Sequence, residues 1–332
     1  MIIRGRNIVL LVIILLAGTL RVPAQNSSKF RQRVDSLLIR KYWRANVDTS
    51  YVTRPQAKMM ILGRLNVSGA KIKTQGHINN HSFSSELTAD YKSTLSAGVS
   101  YRGILINFSV NPARVLGRYR DLELYMQSYK PRFGFDISYQ NARNFNGTVT
   151  VDGVPHSVTK TDGLFEVETI NANFYFVFNP RRFSYAAALA YSYIQRKSAG
   201  SLIIAVSGQG QHARVESTEG SGVIDFKMTI IGVGAGYGYN YVRNNWLFHL
   251  STVPAFIVYS KTSFTSDNDD VSLRYRFPEF IVTSRAAIVK QIGKNKFAGL
   301  SMIYYYTNIG EEEHLYVNNR KWLARIYFGF RL

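Results

Sequence analysis

The chain has 332 residues, with 41 Lys and Arg against 21 Asp and Glu, for a formal charge of +20. It holds no Cys, which excludes a disulfide framework, thiolate catalysis and a lipid anchor on a cleavage-site cysteine. Aromatic residues make up 14 % of the chain, with 22 Tyr and 20 Phe, and so many rings need a surface that tolerates them, such as a membrane interface.

Arg4 and Arg6 precede an apolar run from Ile8 to Ala17, and Val22-Pro23-Ala24 supplies a cleavage site before Gln25. This is the layout of a secretory signal peptide over residues 1–24. The apolar run is shorter than the ~18 residues a retained spanning helix requires. Over residues 25–56, Phe30, Val34, Leu37, Leu38 and Tyr42 recur at helical spacing, with Lys29, Arg31, Arg33, Arg40, Lys41 and Arg44 on the other faces. The pattern predicts a short basic amphipathic helix and linker on the periplasmic side, placed to cap a barrel mouth, enter its lumen or lie on lipid headgroups.

From residue 57 to 332 the period changes to two. Leu87, Ala89, Tyr91, Ser93, Leu95, Ala97, Val99 and Tyr101 alternate with polar or small residues, and Arg102-Gly103 makes a short turn. Ile104, Ile106, Phe108 and Val110 resume the apolar row; Leu122 to Tyr129, Phe133 to Gln140 and Ile170 to Phe178 repeat it. Many such segments separated by turn signals predict an all-β fold, a transmembrane antiparallel β-barrel.

Short connections at Arg102-Gly103, Lys130-Pro131, Asn179-Pro180, Asn244-Asn245 and Gly293-Lys294-Asn295 alternate with longer polar stretches. The latter lie near Thr74 to Ser84, Pro112 to Arg120, Asn144 to Gly163, Gly208 to Gly222, Ser260 to Asp270 and Asn308 to Asn319. Bacterial barrels have short periplasmic turns and long outer loops, which orients the chain and gives about twelve strands. Arg181 to Ser207 reads either as one long strand or as two with a tight turn at Ser198-Ala199-Gly200, which would raise the number to about fourteen.

By parity Arg64, Arg285, Arg325 and Arg331 point into the lumen, and Lys227, Arg274 and Arg276 are read the same way, against fewer inward acids such as Glu123 and Asp136. A basic lumen favours anions; the other reading is that these cations pair with inward acids and Tyr in a filled barrel, or meet lipid phosphates at the rims. The basic, aromatic composition would also suit a nucleic-acid binder, but the export signal and the alternation argue against that partner.

Gly232, Gly234, Gly236 and Gly238 superficially match a nucleotide loop, yet they alternate with Val233, Ala235, Tyr237 and Tyr239 and form one strand with a bare inner stripe. Such a stripe admits the N-terminal segment or an inward-folded loop, or serves barrel curvature. His77, His81, His156, His212 and His314 fall in expected outer loops and lack metal-site spacing. His249 stands beside Ser251 on the inner face, but adjacent same-face strand residues are a poor frame for a nucleophile and its base. No catalytic residue, metal or cofactor is assigned.

The segments Asp48-Thr-Ser-Tyr51, Leu95-Ser-Ala-Gly-Val-Ser-Tyr-Arg-Gly103, Asn111-Pro-Ala-Arg114, Arg132-Phe-Gly-Phe-Asp136, Asn179-Pro-Arg-Arg-Phe-Ser184 and Gln195-Arg-Lys-Ser-Ala-Gly-Ser201 resemble an uncharacterised Bacteroidota family, domain of unknown function 4421. The resemblance spans the mature chain and implies an exported outer-membrane barrel. It implies no catalytic residue or ligand.

The last strand places Trp322, Ile326, Phe328, Phe330 and Leu332 outward, and this row is similar to the signal read by barrel-assembly machinery. The expected protein is an outer-membrane barrel whose partners are membrane lipids and that machinery, acting as a passive, anion-preferring pore or as a structural element. A lipid-acting enzyme and a secreted soluble binding protein are the alternatives.

Overall fold

Alternation of apolar and small or polar side chains becomes a ring of strands in the computed structural model. It describes residues 47–57, 59–78, 81–101, 104–110, 123–142, 145–158, 165–216, 223–266, 269–271, 279–311 and 315–332. The signal peptide, the amphipathic helix at Phe30 to Tyr42, Arg274 and Arg276 lie outside the described residues.

Twelve strands form the ring: β2 (Met59–Ile78), β4 (Lys92–Tyr101), β5 (Ile104–Val110), β6 (Glu123–Tyr129), β7 (Phe133–Ala142), β10 (Phe165–Val177), β12 (Ala199–Glu216), β13 (Val223–Arg243), β14 (Trp246–Ser266), β16 (Phe280–Ile292), β17 (Lys296–Glu311) and β18 (Leu315–Arg331). Each pairs antiparallel with its neighbours, and β18 closes on β2 from Arg331 opposite Met60 to Leu315 opposite Gly76. The seam extends one pair further, where Leu332 N–H donates to the Met59 carbonyl at 2.9 Å. Closure leaves the ring of wall strands no free edge, which is what hydrocarbon demands of a spanning sheet.

The period of two sorts the side chains as expected. On β18 Arg325, Tyr327 and Arg331 are buried, while Ile326, Phe328, Phe330 and Leu332 are exposed. Rings collect at both ends of the outer apolar face. Phe133, Phe176, Phe178, Trp246, Phe248 and Phe330 stand near the short turns, and Tyr91 with Trp322, 5.8 Å apart, stand toward the other end.

Several stretches expected as loops are strands. Residues 74–78 belong to β2, and β3 (His81–Ala89) pairs with it as far as Ile78 opposite His81. The free edge of β3 takes β8 (Phe145–Val151), which turns at Asp152-Gly153 into β9 (Val154–Val158). Both turn residues have positive φ, 48° and 82°, as a two-residue hairpin requires. β12, β13 and β14 likewise run on to Glu216, from Val223 and to Ser266, and β15 (Asp269–Val271) pairs with β14. These outer ends turn an apolar row inward, with Ile72, Phe145, Met228 and Val317 in one buried cluster. It is their polar outer face with interspersed Gly, Ser and Asn that makes them read as loops although their backbones are paired.

The largest departure is at residues 179–198, of which Arg181 to Ser198 reads from sequence as wall strand after a short turn at Asn179-Pro180. The segment leaves β10 at the short-turn end, folds into the lumen and carries helix α1 (Tyr185–Leu189) and β11 (Ile194–Gln195). β11 pairs with β1 (Val52–Thr53). The composition explains the difference. Pro180 stops β10 from continuing, Ser184 caps α1 by accepting from Ala187 N–H at 3.1 Å, and Ala186, Ala187 and Ala188 keep the helix thin enough to fit inside a barrel. The count of wall strands is therefore twelve and not fourteen.

Candidate functional site

The lumen is built in storeys, starting from the plug at residues 179–198. Phe183, Tyr185, Leu189 and Tyr191 form one apolar cluster with Leu62, Leu105, Tyr129, Tyr175, Ile203, Leu247, Val289, Phe297 and Tyr327 of the wall. Aromatic packing is dense. The ring of Tyr191 lies 5.0 Å from Phe297 and 4.4 Å from Tyr327, and Tyr185 meets Tyr129 edge-on at 5.4 Å.

Wall side chains hold the plug backbone. Arg331 donates from Nε and Nη2 to the Tyr191 carbonyl at 3.2 and 3.0 Å, and from Nη1 to Gln291 Oε1 at 2.8 Å. Tyr191 has φ +59°, a left-handed conformation unusual for an aromatic residue, and the clamp on its carbonyl fixes it there. Gln127 Nε2 donates to the Leu189 carbonyl at 2.6 Å. Gln195 Oε1 accepts from Ser184 N–H at 2.9 Å and from Asn240 Nδ2 at 3.1 Å. Beneath the plug, Asp48 N–H donates to the Arg181 carbonyl at 2.9 Å and Arg196 N–H to the Tyr51 carbonyl at 2.7 Å.

The glycine stripe of β13 has two uses. At Gly238 a Cβ would meet Phe183 of the plug, so the bare wall receives an inward-folded segment there. At Gly234 and Gly236 it would strike the backbones of Pro254 and Thr252 on β14, so those glycines allow the strands to coil.

A polar constellation crosses the lumen beside the plug. Arg285 Nη2 donates to Asp136 Oδ2 at 2.9 Å with both side chains fully buried, and also to Tyr175 Oη. Asp136 accepts in addition from Tyr129 Oη at 2.6 Å and Asn173 Nδ2 at 2.8 Å. Desolvation makes this carboxylate dependent on all its partners.

A second set has the form of a triad. Ser251 Oγ lies 3.0 Å from His249 Nε2, and His249 Nδ1 lies 2.7 Å from Asn240 Oδ1. Residues i and i+2 of one strand thus do reach hydrogen-bond distance, contrary to the sequence argument. Ser251 is nevertheless only 2 % exposed and lies 3.0 Å from Tyr185 Oη of the plug. A lipid ester has no path to it in this arrangement, and the set serves to hold α1.

Of the cations assigned to the lumen, Arg64, Arg285, Arg325 and Arg331 are buried on the inner face. Lys227 stands on the outer parity shared with Ile231 and Val233, half exposed, with Nζ 3.1 Å from Asp225 Oδ2. A strict period of two carried back from Val233 places it there. His212 Nε2 lies 3.0 Å from the other oxygen of the same carboxylate. Arg64 and Arg325 share a small chamber with Asn66, Asn107 and Tyr125. The plug itself was missed because it was read for strand period, although Asn179-Pro180 and the Ser184 cap before three Ala were visible.

No curated protein matches the sequence. Among solved structures, outer-membrane OmpT of Vibrio cholerae is similar at 9 % identity and TM-score 0.33, over 83 % of this chain and 99 % of that one. OprG of Pseudomonas aeruginosa is similar at 10 % identity and TM-score 0.29, over 83 % and 97 %. The translocator domain of autotransporter NalP from Neisseria meningitidis is similar at 8 % identity and TM-score 0.35, over 93 % and 98 %. These scores are low, and the fold rests on the registers given above. The model of the domain of unknown function DUF4421 matches residues 46–332, the whole barrel with its plug and the strap beneath, and the chain belongs to that family.

Proposed function

We propose that this protein is an outer-membrane barrel, exported by a cleaved signal peptide and inserted through its C-terminal strand by barrel-assembly machinery, whose lumen is held shut by residues 179–198. Closure against lipid, the exposed apolar rows on β2, β4, β12, β13, β14 and β18 and the ring-rich ends support the location. Passage through it is restricted to small anions and requires the plug to yield. The observation that carries this reading is the Arg331 clamp on Tyr191, a charged latch that acts beside the neutral hydrogen bonds from Gln127 and Asn240 and the packing of the plug.

Planar-bilayer recording of the purified, heat-modifiable barrel tests it. The intact protein is expected to be nearly silent, and replacing Ala186–Tyr193 by a Gly/Ser linker is expected to give steady steps with an anion-selective reversal potential. Large steady channels from the intact protein would end the plugged reading. Cation selectivity, or silence after the replacement, would remove anion passage and leave a structural barrel.

A further inference from the structure

Within the anion-selective reading above, we infer that Arg64 and Arg325 form a specific binding site for one small monovalent anion in the lumen. Arg64 of β2 faces Tyr327 across the seam and Arg325 of β18 faces Asn66, so the two guanidinium groups are diagonal neighbours on the inner face. Like charges placed so closely repel unless something neutral or negative lies between them. Arg64 is 5 % exposed, and its Nε and Nη2 have no hydrogen-bond partner. Arg325 stacks on Tyr125 with its Cζ 4.3 Å from the ring centre. Neither has a carboxylate partner among the described residues, and Asp136 is committed to Arg285.

Asn107 completes the site. It is 1 % exposed and both its side-chain atoms lack a partner. A Cβ on Gly98 would collide with its Oδ1, so the facing strand is bare where Asn107 needs room. Asn66 is held in place by donating to Thr94 Oγ1 at 3.0 Å and to Ser96. All four side chains line one cavity of about 20 Å3, room for a single water or one compact ion. Leaving guanidinium donors buried and unpaired is costly, whereas a halide or a small carboxylate would satisfy them and cancel the repulsion. A bulky anion does not fit.

Binding here does not require the plug to move, so a silent barrel in bilayers and an empty chamber are separate outcomes. Bromide and formate serve as probes on the full-length barrel in detergent, against gluconate at equal ionic strength. Bromide is expected to raise the thermal midpoint saturably by roughly 2–4 °C, formate in the same direction, and bromide-soaked crystals to show one anomalous peak between Arg64 and Arg325. Arg64→Gln and Arg325→Gln should each abolish the saturable rise, and Asn107→Leu, which keeps both charges, should weaken half-saturation at least about threefold. Should the Gln variants give no compact barrel, Asn107→Leu decides alone. Identical midpoints in bromide and gluconate, an unchanged response in the variants, or no peak in the chamber would overturn the site. A rise with bromide and none with formate would restrict it to halides.

Discussion

Arg285 and Asp136 meet at 2.9 Å across the barrel, from β16 and β7, five places apart in the ring of twelve strands. An ion pair between near-opposite walls is a crossbar, and a fully buried one leaves an uncompensated charge when either partner is removed. Arg285→Met is expected to destabilise the barrel by about 3–5 kcal/mol, and Asp136→Leu by a similar amount. The double variant should lose less than the sum, because it strands no charge. Denaturant unfolding of the protein refolded into lipid vesicles reads all three; additive losses would show that the pair is not coupled.

The latch on the plug predicts a second result. Gly329 is bare because a Cβ there would strike the ring of Phe297, which in turn stacks on Tyr191. Gly329→Val should push Phe297 aside and release that stack, worth about 0.5–1.5 kcal/mol. The probability of an open lumen should then rise by up to about tenfold in bilayer recordings. Arg331→Ala should do the same through the Tyr191 carbonyl, and the two together should exceed either alone.

Ser251 separates chemistry from architecture. Its hydroxyl has a histidine and an asparagine arrayed behind it, but Tyr185 covers it. A fluorophosphonate serine probe is expected to leave the folded barrel unlabelled, and Ser251→Ala to change no lipid hydrolysis. Stoichiometric labelling of Ser251 in the intact protein would revive the enzyme reading.

Glycines of the wall are not equivalent. At Gly234 a Cβ would overlap the Pro254 carbonyl and Ala255 Cα, which are backbone and cannot rotate away, whereas at Gly63 the nearest neighbour is the Phe328 carbonyl at 3.9 Å. Gly234→Val should therefore yield no heat-modifiable barrel. Gly63→Ala should stay within about 0.5 kcal/mol of the parent. Equal behaviour of the two would mean that coiling at β13 and β14 does not depend on the stripe.

The wall was legible in sequence because its signal is local: Phe133, Phe135 and Ile137 alternate with Gly134 and Asp136 whatever lies across the barrel. Inward burial of Arg64, Arg325 and Arg331 follows from the same parity. The plug was not legible in this way. What turns residues 179–198 inward is the fit of Phe183 against Gly238 and of Tyr191 against Phe297, contacts between residues far apart in the chain. The pairing of Asp136 with Arg285 was equally hidden, since parity shows that both point inward but not that they meet. Beyond the apolar band the period persists but the faces exchange, because Ile72, Phe145 and Met228 are buried inside while Lys71, Lys73 and Glu86 are half exposed, and a search for lipid-facing rows passes over that pattern.

The polar outer face of that extension makes the last prediction. Glu86 of β3 bridges Lys71 and Lys73 of β2, and the hydrogen bonds from Lys71 and then Lys73 hold its carboxyl down, at about 2 against an ordinary 4.5. A carboxylate whose folded value is depressed contributes stability above its unfolded value and loses it as pH falls through the folded one. The β2–β3 hairpin should thus be tightest above pH ~4.5 and loosen progressively toward pH ~2. All three side chains are more than a third exposed, so water screens the bridge and the effect is small, less than about tenfold in amide protection, and smaller still in high salt. Hydrogen exchange of residues 71–78 and 81–88, corrected for the intrinsic rate at each pH, measures it. Glu86→Gln should flatten the dependence while leaving the barrel below the extension unchanged; a parent hairpin equally protected at both ends of this range would show that the bridge contributes nothing.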